Sequence, residues 1–135
     1  MKVFIDTNVW LSARFHTGLC ARLLDELVEV GVELLLDERV LDEFTRIARD
    51  KFQVEDVLLR RTLVFFHEYA RVVPAAREPL PDVPDAEDAL IIAAALAADA
   101  QWFVTGDQAL LKCAIPGEIL MLVPRAAFER LLKRR

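Results

Sequence analysis

Four carboxylates stand out by where they fall in the chain: Asp6, Glu43, Asp88 and Asp107. Asp6 opens the cluster Asp6-Thr7-Asn8 directly after the apolar run Val3-Phe4-Ile5, and Asp107 follows Gly106 just after Trp102-Phe103-Val104. Each, taken alone, can be a helix N-cap. Glu43 sits differently. Its helix carries apolar residues at Val40, Leu41, Phe44, Ile47 and Ala48, and Glu43 follows Val40 by three and precedes Ile47 by four. That places it on the stripe meant for the core, whereas Asp42 and Arg46 can face water. A carboxylate there is costly unless it is paired or binds a metal, so a salt bridge and a metal ion are the two readings. Asp88 lies one turn into an apolar helix, on one face with Ile91, Ile92 and Ala95. The helix dipole alone favours acids in a first turn. Yet Asp85, Glu87 and Asp88 put three acids into four residues before a helix too apolar to be exposed. The spacing turns Asp88 inward and leaves Asp85 as the cap.

Together, four carboxylates from separate segments would repel one another and raise one another's pKa unless a cation joined them. Oxygen-only donors suit Mg²⁺ or Mn²⁺, one or two ions, and Mg²⁺ prefers to share its shell with water and phosphate. The chemistry implied is phosphodiester hydrolysis, in which the metal orients water, polarises the phosphate and steadies the leaving 3′-oxygen. Asn8 and Thr105, beside two of the acids, are suited to holding a carboxylate or water by hydrogen bonds, or are ordinary turn residues.

The elements that must hold these side chains can be read from periodicity. Short apolar runs predict strands at Val3–Ile5, Glu33–Leu36, Arg71–Val73, Trp102–Val104 and Ile119–Leu122. Helical spacing predicts helices over 9–15, 19–30 (stopped by Gly31), 38–51, 54–69 and 86–98, with Pro124 opening a last one. Pro79 to Pro84 forms a proline-rich loop. Apolar strands alternating with helices predict an α/β fold, a three-layer α/β/α sandwich on a mainly parallel sheet. Binding sites in such sheets gather at the carboxyl ends of the strands, where Asp6 and Asp107 fall.

Composition sets bounds. A chain of 135 residues, 55% apolar, reads as one domain over 1–135 with a full core. The longest apolar run, Ala89 to Ala98, is shorter than the ~20 residues a membrane span needs. Asp6 arrives too early for a signal peptide, which together with the lack of a span predicts a cytoplasmic protein. Cys20 and Cys113 have no ligand spacing and read as buried thiols, which disfavours zinc. The net charge is −5, and the four acids carry four of those charges, leaving −1 for the rest. That balance is compatible with a polyanionic substrate once cations are bound but does not argue for one. Arg14, Arg46, Arg49, Lys51, Arg60, Arg61 and the Lys133-Arg134-Arg135 tail can contact RNA or be solvated helix faces, and no aromatic platform for bases is legible.

Asp6-Thr7-Asn8 after Val3-Phe4-Ile5, Glu43 after Val40-Leu41, Asp88 opening Ala89-Leu90-Ile91-Ile92-Ala93-Ala94, and Val104-Thr105-Gly106-Asp107 together resemble the PIN-domain family, in particular its VapC-like toxins. The tail Ile119-Leu120-Met121-Leu122-Val123-Pro124-Arg125 with Phe128 looks like the end of that domain, so the similarity spans essentially the whole chain. The resemblance implies that Asp6, Glu43, Asp88 and Asp107 are metal-site acids, with Asn8 and Thr105 as polar supports and Asp85 a less secure match. It also implies a Mg²⁺- or Mn²⁺-dependent endoribonuclease, frequent homodimers, and an antitoxin that blocks the site. Three alternatives stand beside it, a PIN nuclease of RNA processing, a phosphotransfer or phosphatase-type α/β domain, and a non-catalytic RNA-binding or interaction module on the same fold. The second lacks a second Asp where Asn8 stands, and with four glycines the chain has no phosphate loop.

Overall fold

The computed structural model describes residues 1–113 and 115–134. Arg135, the end of the basic tail, lies outside the described residues. The chain runs β1 (Lys2–Ile5), α1 (Thr7–Phe15), α2 (Leu19–Glu29), β2 (Glu33–Asp37), α3 (Glu38–Asp50), α4 (Asp56–Tyr69), β3 (Ala70–Val73), α5 (Ala86–Ala97), β4 (Trp102–Val104), α6 (Gln108–Leu111), β5 (Leu120–Leu122) and α7 (Pro124–Lys133).

The five strands form one sheet in the order β3-β2-β1-β4-β5, and every pairing is parallel. Successive strand side chains point to opposite faces, yet Val3, Phe4 and Ile5 are all buried, as are Leu34 to Leu36 and Trp102 to Val104. Both faces of the central strands are therefore covered by helices, the three-layer arrangement that the uninterrupted apolar runs predict. Phe4 and Phe103, partners in register on adjacent strands, stack with ring centroids 5.2 Å apart. This cross-strand pair ties β1 to β4 in the middle of the core.

Strand order matters more for the site than strand count. From β1 the chain builds outward through β2 to β3, then returns across the sheet to place β4 on the other side of β1. The order thus reverses between β1 and β4. Loops leaving the carboxyl ends of these two strands diverge, and a crevice opens between them. Element ends follow local chemistry. Asp37 ends β2 and caps α3, its carboxylate accepting from the Val40 amide at 2.8 Å. Gly31, at φ +77°, takes the left-handed conformation just past α2. The periodicity places the start of α1 two residues late, because Thr7 and Asn8 are polar residues already inside the helix, and the start of α4 two residues early, because Val54 and Glu55 precede the helix that opens at Asp56.

Candidate metal centre

Asp6 and Thr105 stand on the two sides of the crevice. Ile5 pairs with Val104 in register, so the residues that follow them face each other across the ends of β1 and β4. The Asp6 amide donates to the Val104 carbonyl at 3.0 Å, which extends the ladder by one bond. The Asp6 side chain then divides its oxygens. Oδ1 accepts from the Thr7 amide at 2.9 Å, the N-cap bond that starts α1, and Oδ2 accepts from the Thr105 hydroxyl at 2.8 Å. Burial pushes the Asp6 carboxyl above its usual range, the two hydrogen bonds pull it down, and the charges of Glu43 and Asp107 push it up again.

Thr105 is fully buried and links two acids. Its Oγ1 donates to Asp6 and accepts from the Asp107 amide at 3.1 Å. Asp107 in turn caps α6, with Oδ1 accepting from the amides of Ala109 at 2.9 Å and Leu110 at 3.3 Å. Asp85 caps α5 through the Asp88 amide at 2.9 Å, as its position predicts. That bond fixes the first turn of α5 and leaves the Asp88 carboxylate half-buried toward the crevice acids. Burial is the main reason the Asp88 carboxyl is pushed up to about 6, and the charges of Asp85, Asp6, Asp107 and Glu87 all act in the same direction.

Glu43 completes the group from α3, half-buried on the edge of the apolar face that carries Val40 and Phe44. Its charge is felt at Asp6. Among the described residues the one ion pair is Arg71 with Glu33, at 3.2 Å, far from these acids in the sequence, so the salt bridge expected as an alternative for Glu43 is not formed. Asn8 is exposed and makes no hydrogen bond to the acids. Asp6 is thus within electrostatic reach of Glu43, Asp88 and Asp107, and Asp88 also of Asp107, with Thr105 bonded to Asp6, Asp85 bonded to the Asp88 amide and Asn8 exposed.

Two buried polar residues, Thr7 and Asp37, are not among the predicted site residues. Thr7 is 1% exposed and its hydroxyl has no protein partner, immediately beside Asp6. Asp37 is fully buried at the carboxyl end of β2, with one oxygen capping α3 and Oδ2 unpartnered. Burial raises its pKa, against hydrogen bonds from Val40 and Arg39 and the charge of Arg39. A polar residue closing an apolar strand was the available signal for Asp37. Nothing in the spacing distinguishes Thr7 from an ordinary first-turn threonine.

The donor set is all carboxylate, of one sign, without a balancing cation among the described residues. Such a group fits a hard divalent ion. No three of these side chains already converge as a coordination group among the described residues. This is consistent with Mg²⁺ chemistry, in which one or two carboxylates suffice and water or phosphate completes the shell.

The fold is an α/β domain in which Asp6 and the Thr105–Asp107 turn flank the topological switch point of the sheet. The chain belongs to the PIN-domain family, whose model matches residues 2–109. That is a family of nucleases. No curated protein matches the sequence. Solved structures do: a chain of the VapBC2 complex from Rickettsia felis, crystallised with a DNA fragment from their promoter, superposes with a TM-score of 0.66. The match covers 91% of this chain and 98% of that one at 15% identity, and so establishes likeness of fold. No helix among the described residues is long and apolar enough to cross a membrane.

Proposed function

We propose that the protein is a Mg²⁺- or Mn²⁺-dependent endoribonuclease and the toxin of a toxin–antitoxin pair. The observation that carries the nuclease reading is the cluster itself. Asp6, Glu43, Asp88 and Asp107 are supplied by four segments of the chain, and burial, with the charges of Asp85, Asp6, Asp107 and Glu87 added to it, raises the Asp88 carboxyl to about 6. In a family of nucleases, an uncompensated carboxylate group is best explained as a metal site.

Asp6, Glu43, Asp88 and Asp107 would hold the ion. When bound, it would supply Lewis-acid polarisation of a phosphodiester and a lowered pKa for water. The chain's own residues do the positioning. Thr105 fixes the orientation of Asp6 by donating to Oδ2, and through the Asp107 amide it ties the start of α6 to the same atom. Asp85 holds the first turn of α5, so that Asp88 keeps its inward place. Both oxygens of Asp6 are engaged as acceptors, which suits a ligand and disfavours a nucleophile in phosphotransfer.

The toxin assignment draws on the shared fold with a VapBC chain. It brings with it RNA as substrate, an antitoxin that covers the acids, a homodimeric state and a cytoplasmic setting. Cleavage of a mixed RNA pool with Mg²⁺, Mn²⁺ or EDTA tests the activity. Metal-dependent cleavage, lost in Asp6→Asn and Asp88→Asn, is expected; metal-independent activity, or full activity in both variants, contradicts it. Co-purification with the product of a neighbouring short reading frame, released with recovery of activity, separates a toxin from an RNA-processing nuclease.

A further inference from the structure

We infer that the cleft where the ends of α1 and α3 meet α4 is a subsite for a base of single-stranded RNA, a few nucleotides from the scissile phosphate. The inference rests on the ribonuclease reading for its ligand and on separate residues for its argument. The cleft has a volume of about 640 Å³ and is lined by Arg14, Phe15, His16, Phe52 and Leu58. Phe52, just beyond α3, keeps 39% of its surface exposed, next to the half-buried Phe15 and the exposed His16. It meets Phe15 edge-on at 6.0 Å and His16 at 5.5 Å, so the ring is propped by its neighbours with surface left open.

A guanidinium and an imidazole also line the cleft. Arg14 lies over Phe65 with its guanidinium carbon 4.2 Å from the ring centroid, held by a cation–π contact on one side. Its Nε is buried and has no protein partner. His16 is exposed next to it. A propped aromatic surface flanked by a guanidinium and an imidazole matches the two parts of a nucleotide, a flat base and a phosphate. An apolar protein side chain would need only the first. Glu55 on the rim is the one acid lining the cleft.

Position joins the cleft to the acids. α1 begins just after its cap Asp6 and ends at Phe15, and α3 carries Glu43 and ends at Asp50, two residues before Phe52. By helical rise the end of α1 lies roughly 13 Å from Asp6 and the end of α3 roughly 10 Å from Glu43. The two helices pack on one another, with Phe15 stacked on Phe44 at 5.5 Å. Arg46, exposed, lies on α3 between Glu43 and Phe52 along the chain. A strand of RNA seated at the acids and following the α1–α3 seam would pass Arg46 and reach the Phe52 ring.

The test uses the full chain, a 5′-labelled single-stranded oligoadenylate in EDTA for binding, and the same oligomer with Mn²⁺ for cleavage. Phe52→Leu keeps the apolar volume and removes the stacking surface; RNA affinity should fall roughly five- to tenfold or more. Phe52→Trp should bind at least as tightly as wild type, and the introduced indole should be quenched by RNA, a signature a merely structural role would not give. Unchanged affinity in Phe52→Leu together with an unquenched indole, in a wild-type chain that cleaves RNA, overturns the subsite alone. Phe52-dependent binding in a chain that never cleaves overturns the nuclease reading and supports the subsite.

Discussion

Asp6 performs three tasks with one side chain: it starts α1, bonds to Thr105 across the sheet, and faces Glu43 and Asp107. Thr105 is the residue whose loss isolates the second task. Thr105→Val keeps the shape and removes the hydroxyl that holds Oδ2. We expect a 10- to 100-fold loss in metal affinity or activity, with the fold retained. Calorimetric titration with Mn²⁺ beside a far-ultraviolet circular dichroism melt checks both halves. Asp88 sets the pH dependence. Its folded pKa is about 6 against 3.8 for the free side chain, so the native chain binds its proton more tightly than the unfolded chain does. The stability associated with that proton is complete below about pH 4 and is lost as pH rises through about 6. Divalent metal competes for the same carboxylate. Added Mn²⁺ should therefore raise the melting temperature clearly above pH 6 and little near pH 4, and activity should fall as pH drops through about 6. A metal-induced stabilisation that is the same at both pH values contradicts this account of Asp88.

Elements place the acids through their caps. Asp6, Asp37, Asp85 and Asp107 cap α1, α3, α5 and α6, each at the start of a helix. The same bond that begins a helix thus directs acids toward the carboxyl end of the sheet. This doubling is why the sequence alone left Asp6 and Asp107 open between cap and ligand: they are caps, and they also face the other acids. Glu43 was legible because a helical stripe has a definite face, and the structure places it on the edge of that face. Asp85→Asn separates capping from charge. Asn still accepts from the Asp88 amide, while the removed charge no longer raises the Asp88 pKa. The acid limb of the activity profile should move to lower pH, with thermal stability nearly unchanged. Asp85→Ala should lower stability by about 1 kcal/mol through the lost cap. Urea denaturation of both variants tests the distinction. In α3, Asp37→Ala should cost roughly 1–2 kcal/mol, whereas Asp37→Ser keeps an acceptor for the Val40 amide and removes a buried charge, and should cost less.

At the scale of the whole molecule, the sheet order creates the site. Parallel strands covered on both faces were legible from Val3-Phe4-Ile5, Leu34-Leu35-Leu36 and Trp102-Phe103-Val104, since an alternating strand would show polar positions. The order β3-β2-β1-β4-β5 was not legible from periodicity, because spacing fixes elements and not their neighbours. Nor was the Phe52 surface, which depends on three helix ends meeting. Phe4 and Phe103 hold together the two strands that flank the crevice. Phe103→Ala should cost roughly 3–5 kcal/mol and abolish activity along with the native fold, unlike the substitutions at the acids. The central claim is that the four acids form one metal site serving hydrolysis. The most direct measurement is Mn²⁺ titration by calorimetry of wild type, Asp6→Asn, Glu43→Gln, Asp88→Asn and Asp107→Asn, each paired with RNA cleavage. The account predicts that wild type binds Mn²⁺ and cleaves, and that every substitution weakens both together in a folded chain. Undiminished Mn²⁺ affinity in the four variants, or cleavage that persists in EDTA, would contradict it.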